Sequence, residues 1–106
     1  MGLFNKKTID IAALDNFWKW FEGKEEWIKA NINTNGIDVV WAIDEQIKPI
    51  FPYFKKELEF QLGYNNGVGE FFFFHFNDIN LKKDAEIFKN AIPEDLAKRW
   101  SIVLDA

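Results

Sequence analysis

The stretch from Glu57 to Phe76 limits the fold more than any other part of the chain. Glu57-Leu58-Glu59-Phe60-Gln61-Leu62 alternates polar and apolar residues without a break, the two-residue period of a strand with one buried face. Gly63 to Gly67 follows. Its Asn66-Gly67 pair gives the backbone easy access to positive φ, so a tight turn returns the chain as a second, antiparallel strand over Val68 to Phe76. That second strand is apolar on both faces: Phe72, Phe74 and Phe76 point one way, Phe71, Phe73 and His75 the other. The first strand offers only one apolar face. The remaining face of the second is therefore either capped by loops and a helix or used to dock a partner.

The segments flanking this hairpin carry helical periodicity. Asp15 is the N-cap candidate of a first helix running to about Asn31, in which Phe17, Trp20, Phe21, Trp27, Ile28 and Ile32 recur at spacings that gather them on one face. Gly23 weakens its middle by roughly 1 kcal/mol relative to Ala and marks a bend or a close helix contact. Asn31 to Gly36 is a turn, and a second helix fits Ile37 to Lys48 with Ile37, Val40, Trp41 and Ile47 inward, stopped by Pro49. After the β-hairpin, a third helix fits Leu81 to Asn90, capped by Asn80, with Leu81, Ala85, Phe88 and Ile92 on one stripe. Pro93 ends it. One further turn at Pro93-Glu94-Asp95-Leu96 precedes a final strand over Trp100 to Leu104.

The order α-α-β-β-α-β defines an α+β fold: a helical hairpin, a β-hairpin, a third helix and a last strand, with helices packed on a three-stranded sheet. The closing β-α-β crossover sets the last strand parallel to the second where the two are neighbours, with a right-handed connection. At 106 residues the chain is read as a single domain over 1–106. Hydrophobic residues make up 48% of it and charged residues 28%, away from the composition of disordered chains. There is no cysteine, so twelve Phe and five Trp must stabilise the core without disulfides or thiolate metal sites.

Charge and targeting signals narrow the partners. A net charge of -4 argues against nucleic acid, because phosphate binding needs a basic surface. The pairs Lys6-Lys7, Lys55-Lys56, Lys82-Lys83 and Lys98-Arg99 lie far apart and read as solvated faces. The longest apolar run, Phe71 to Phe74, is far too short to span a bilayer. Gly2 to Lys7 lacks the pattern of a signal peptide, and Lys6 stands where a myristoylation motif needs Ser or Thr, so a cytoplasmic location is expected.

Residues able to carry chemistry are few. His75 is the only histidine, with no Cys, Asp or Glu at ligand spacing, so no metal site and no cofactor are expected. The acidic pairs Glu25-Glu26, Asp44-Glu45, Glu57 with Glu59, and Glu94-Asp95 read as solubilising surface, and no calcium-loop spacing is present. Thr8, Thr34 and Ser101 sit in no nucleophile elbow, and Gly63, Gly67 and Gly69 surround a hairpin rather than a strand-to-helix junction. No catalytic residue is assigned. Aromatic density remains: Trp18, off the main stripe of the first helix, joins Phe71, Phe73 and His75 as the candidate binding patch, against the alternative that all of them are core.

The segments Phe17-Trp18-Lys19-Trp20-Phe21, Leu58-Glu59-Phe60-Gln61-Leu62-Gly63, and Ala91-Ile92-Pro93 followed by Trp100 resemble, in order, a group of uncharacterised bacterial proteins. Those proteins open with an FWxWF-type helix and end with an Ala-x-Pro and Trp-strand segment. The resemblance spans residues 17 to 104; it implies a bacterial origin and an α+β layout, and it supplies no activity and no site residues. The Phe71 to Phe74 run departs from the pattern, which has a mixture of aliphatic and small residues there.

The expected function is a non-enzymatic protein–protein interaction module, with an immunity-type or inhibitory protein as its specific version, since small acidic domains can neutralise basic toxins by charge complementarity. A homodimer through an exposed sheet face or edge is a further arrangement. The rival is a small-molecule binder or an unrecognised enzyme whose pocket lies between the helical hairpin and the sheet and includes His75, Glu70 and Trp41.

Overall fold

The computed structural model describes residues 8–106. The targeting argument on Gly2 to Lys7, and the lysine pair within it, lies outside the described residues.

The first helix, α1 (Ile11–Asn31), begins earlier than the sequence suggests: the carboxylate of Asp10, not Asp15, accepts the N–H of Ala13 at 3.0 Å. Asp10 is fixed in turn by its own N–H, which donates to the Ile50 carbonyl at 2.8 Å. The buried stripe is Leu14, Phe17, Trp18, Phe21, Glu25 and Ile28, an unbroken three-and-four spacing that puts Trp18 inside and leaves Trp27 exposed. A polar residue in the stripe, Glu25, concealed this phase in the sequence. The helix runs on through Gly23, beside which no neighbouring atom lies within 4 Å, so that glycine marks no close helix contact.

Helix α2 (Gly36–Ile47) follows and passes into a single 3-10 turn over Lys48–Ile50. Its inward residues are Val39, Ile43 and Ile47; Ile37, Val40 and Trp41, expected inside, stand on the exposed side. Both faces of this helix are apolar, so periodicity alone could not decide which one the core takes.

Strands β1 (Glu59–Asn65) and β2 (Val68–Phe74) form the expected hairpin, and β3 (Trp100–Asp105) pairs parallel to β2, giving a sheet in the order β1-β2-β3. Asn66 and Gly67 both have positive φ (53 and 80°), the signature of the two-residue turn whose twist matches the strands. The second strand stops at Phe74 rather than Phe76, because Phe76 and Asn77 take left-handed φ values of 54 and 56° and turn the chain toward α3 (Ile79–Asn90). Asp78, not Asn80, caps that helix, accepting the Leu81 N–H at 2.9 Å. A short α4 (Glu94–Ala97) leads into β3.

Buried residues of every helix among the described residues join one core cluster with Phe71 and Phe73, on one face of the sheet. On that face Phe71 and Phe73 are fully buried, and the Phe88 ring of α3 lies 5.8 Å from Phe71 and 5.5 Å from Phe73. Phe17 of α1 meets Phe71 at 6.5 Å and Phe88 at 5.4 Å, and Phe51 closes the far side against Phe73 at 5.4 Å. Ring pairs at these separations add to the stabilisation from burial alone. Trp100 packs against the one glycine the strands require: a Cβ on Gly69 would run into its indole. The other face carries Phe72, Phe74 and Val103, half-buried and outside the core cluster, with Glu59, Glu70 and Asp105 around them. No helix among the described residues is long and apolar enough to cross a membrane.

Candidate functional site

The four residues read from the sequence as a binding patch are all interior. Trp18 is 2% exposed and its indole N–H donates to the Phe88 carbonyl at 3.1 Å, while its ring stacks on Phe88 at 5.0 Å. Phe71 and Phe73 are the centre of the core. His75, 6% exposed, is held at the end of β2: its backbone N–H donates to the Asp105 carbonyl, and its Nδ1 accepts the Asn77 N–H at 3.1 Å. That bond leaves Nδ1 as the acceptor of a local turn. These residues do not form a surface patch, for the reason that the second strand turns its Phe71/Phe73/His75 side toward the helices. The trio named for the rival pocket does not converge: Glu70 points to the opposite face of the sheet from His75, and Trp41 stands on the outer side of α2, where it lines a groove between that helix and the sheet without the other two.

Two polar clusters escaped the sequence. Glu25, taken there as surface charge, is buried beneath Arg99, whose Nε and Nη2 donate to the two carboxylate oxygens at 2.7 and 2.9 Å, and the Trp100 indole N–H adds a third bond at 3.0 Å. The hydrogen bond from Arg99 chiefly holds the Glu25 carboxyl below its ordinary range, against the opposing effect of burial, and the Trp100 bond and the Arg99 charge add to it. Arg99 is correspondingly raised. The Tyr53 hydroxyl donates to buried Asp84 at 2.6 Å; burial first, then that bond and the Asp84 charge, push the phenol well above its usual value. Each cluster tethers distant parts of the chain, α1 to the residues around the start of β3 in one case and the post-α2 connector to α3 in the other. Among the described residues no group of His, Asp and Glu is arranged to hold a metal ion.

The open concavity lies elsewhere, between the outer side of α2 and the start of β1. It is a groove of about 780 Å³. Gly36, Ile37, Val40, Trp41 and Asp44 form one wall, residues that recur on one side of a helix, and Glu57 to Phe60 form the other. Ile37 is 86% exposed and Trp41 66%, large apolar surfaces that the fold leaves in water. Trp41 also borders a second hollow of about 610 Å³ between α1 and α2, with Trp20 and Trp27 across from it. Charge along the main groove is of one sign: Asp44, Glu57 and Glu59 line it and no Lys or Arg does. Asp44 is partly neutralised by Lys48 at 2.9 Å. Among the described residues Glu57 and Glu59 have no ion pair, although the Lys48 charge interacts with Glu57 from beyond salt-bridge distance.

The sequence held a signal for this site in the apolar residues of α2 that exceed what one helix face can bury. Comparison of the chain with protein families, curated proteins and solved structures finds no match.

Proposed function

We propose that the chain is a non-catalytic protein-binding module that receives an apolar, basic segment of its partner in the groove between α2 and β1. The observation that carries this reading is the pairing of highly exposed Ile37 and Trp41 with a wall bearing Asp44, Glu57 and Glu59. Exposed tryptophan beside isoleucine is costly in water and suits the centre of an interface, where Trp is among the residues that contribute most to affinity. The acidic wall selects a cationic partner and speeds its approach. An inhibitory or immunity-type role against a basic protein is the specific form of this reading, and the cysteine-free composition agrees with work in the reducing cytoplasm.

Selection from a random peptide library displayed against the full chain tests the proposal. Enriched peptides are expected to combine Lys or Arg with apolar residues and to lose binding to Trp41→Ala and to Glu57→Lys. Enrichment of acidic or purely polar sequences, or binding indifferent to both substitutions, would contradict it.

A further inference from the structure

The wall of the groove opposite α2 leads into β1, one of the two edge strands of the sheet, and the hairpin fixes which backbone groups on that edge are available. In a two-residue hairpin the residues flanking the turn, here Asn65 and Val68, exchange both backbone hydrogen bonds, and the exchange then repeats at every second pair. Gly63 with Glu70, Gln61 with Phe72, and Glu59 with Phe74 are the bonded pairs on that register. The alternate residues Phe60, Leu62 and Tyr64 therefore turn their N–H and C=O groups outward. Two bonds in the structure agree with this phase. The Gly69 N–H, opposite Tyr64, donates to Arg99 on the far side of β2, and the outward Tyr64 carbonyl accepts the Asn33 side-chain amide at 3.2 Å. Asn33 thus caps the edge at its C-terminal end. Among the described residues nothing bonds the outward groups of Phe60 and Leu62.

We infer that the occupant of the groove binds as an added β-strand, pairing its backbone with Phe60 and Leu62, and that it alternates apolar and basic residues. The inference rests on the docking reading above and specifies its mode. Successive side chains of an added strand fall on opposite faces of the extended sheet. On the helix-covered side they would lie against Phe60 and the exposed flank of α2, with Ile37, Val40 and Trp41, where apolar residues fit. On the opposite side they would lie beside Glu59, where Lys or Arg fits. A second copy of this chain is a poor occupant, because Glu59–Asn65 contains no Lys or Arg to meet that charge. The edge is short of the protection that sheet edges usually carry, having neither a lysine nor a proline along β1.

The full chain is titrated with three probes: a synthetic peptide alternating Arg and Val, the same peptide N-methylated at alternate residues in each of the two phases, and a basic amphipathic helical peptide. Amide hydrogen exchange and binding are read together. The extended peptide is expected to bind, to slow exchange at Phe60 and Leu62 by about tenfold or more with little change at Gln61, and to lose about tenfold in affinity when one methylation phase, but not the other, is introduced. Trp41→Ala and Glu59→Lys, both on exposed side chains, should each weaken it. Binding of the helical peptide in preference, with Phe60 and Leu62 amides unprotected, would overturn strand addition while leaving the docking reading in place. Failure of both peptides to bind at millimolar concentration would overturn both. Concentration-dependent dimerisation that protects Phe60 and Leu62 without any peptide would make the occupant a second copy and overturn the basic-partner assignment.

Discussion

The ring cluster beneath the sheet and the groove beside it are built from the same residue types and have opposite fates. Phe17, Phe71, Phe73 and Phe88 touch one another from three elements and retain no contact with water, whereas Ile37 and Trp41 project from a helix whose other side is already packed. In the first region an aromatic side chain stabilises the fold because its neighbours enclose it. In the second, Ile37 and Trp41 are left largely uncovered and stay available. Composition cannot separate the two, since both count as hydrophobic; enclosure does.

The largest effect expected from this contrast belongs to the centre of the cluster. Phe71→Ala removes a ring with no exposed surface and should cost about 3 to 5 kcal/mol of unfolding free energy in urea titration. A loss under about 1 kcal/mol would place Phe71 outside the cooperative core.

Two glycines on the same hairpin sharpen the boundary. Gly69→Ala forces a methyl group into the Trp100 ring and should cost about 1 to 3 kcal/mol, while Gly63→Ala, with no atom within 4 Å of the added carbon, should fall within about 0.5 kcal/mol of the parent. Equal effects would mean that Trp100 moves aside freely.

The Glu25 cluster is the polar counterpart of the ring cluster, and pH distinguishes it. A carboxyl whose folded value lies below its unfolded value of about 4.5 stabilises the protein fully above that pH and loses the contribution as pH falls through the depressed folded value. Glu25→Gln should therefore cost about 2 kcal/mol near neutrality, and its stability should converge on the parent's in acid. A difference that stays constant from neutral to acid pH would show that packing, and not the ionised carboxylate, is responsible.

Smaller again is the cap of α1. Asp10→Ala should cost about 1 kcal/mol and Asp15→Ala about 0.5 kcal/mol or less, measured by thermal unfolding. The reverse ranking would return the helix start to Asp15.

Much of the architecture could be read from the chain. The alternation of Glu57 to Leu62, the Asn66-Gly67 turn and the prolines after α2 and α3 gave element order, and the crossover rule gave the parallel pairing of β3 with β2. Helix phase was harder to read. In α1 the buried stripe passes through Glu25, whose partners Arg99 and Trp100 lie at the other end of the chain, so nothing local marked it as interior. In α2 two apolar faces compete, and only the position of the sheet decides between them. The candidate site was missed for the same reason: Trp18 and Phe71 looked available because their covering elements are distant in sequence, and Trp41 looked buried because its own helix is apolar. The resemblance to the FWxWF-type group rests on the sequence segments alone.

On the docking reading, the exposed Ile37 and Trp41 of α2 serve binding and not folding. This is tested most directly by isothermal titration of the Ile37→Ser/Trp41→Ala double variant with the alternating Arg/Val peptide, after its unfolding free energy has been shown to match the parent's within about 0.5 kcal/mol. Affinity should weaken by about tenfold or more at unchanged stability. Affinity equal to the parent's, or a fold that collapses when the two side chains are removed, would contradict it.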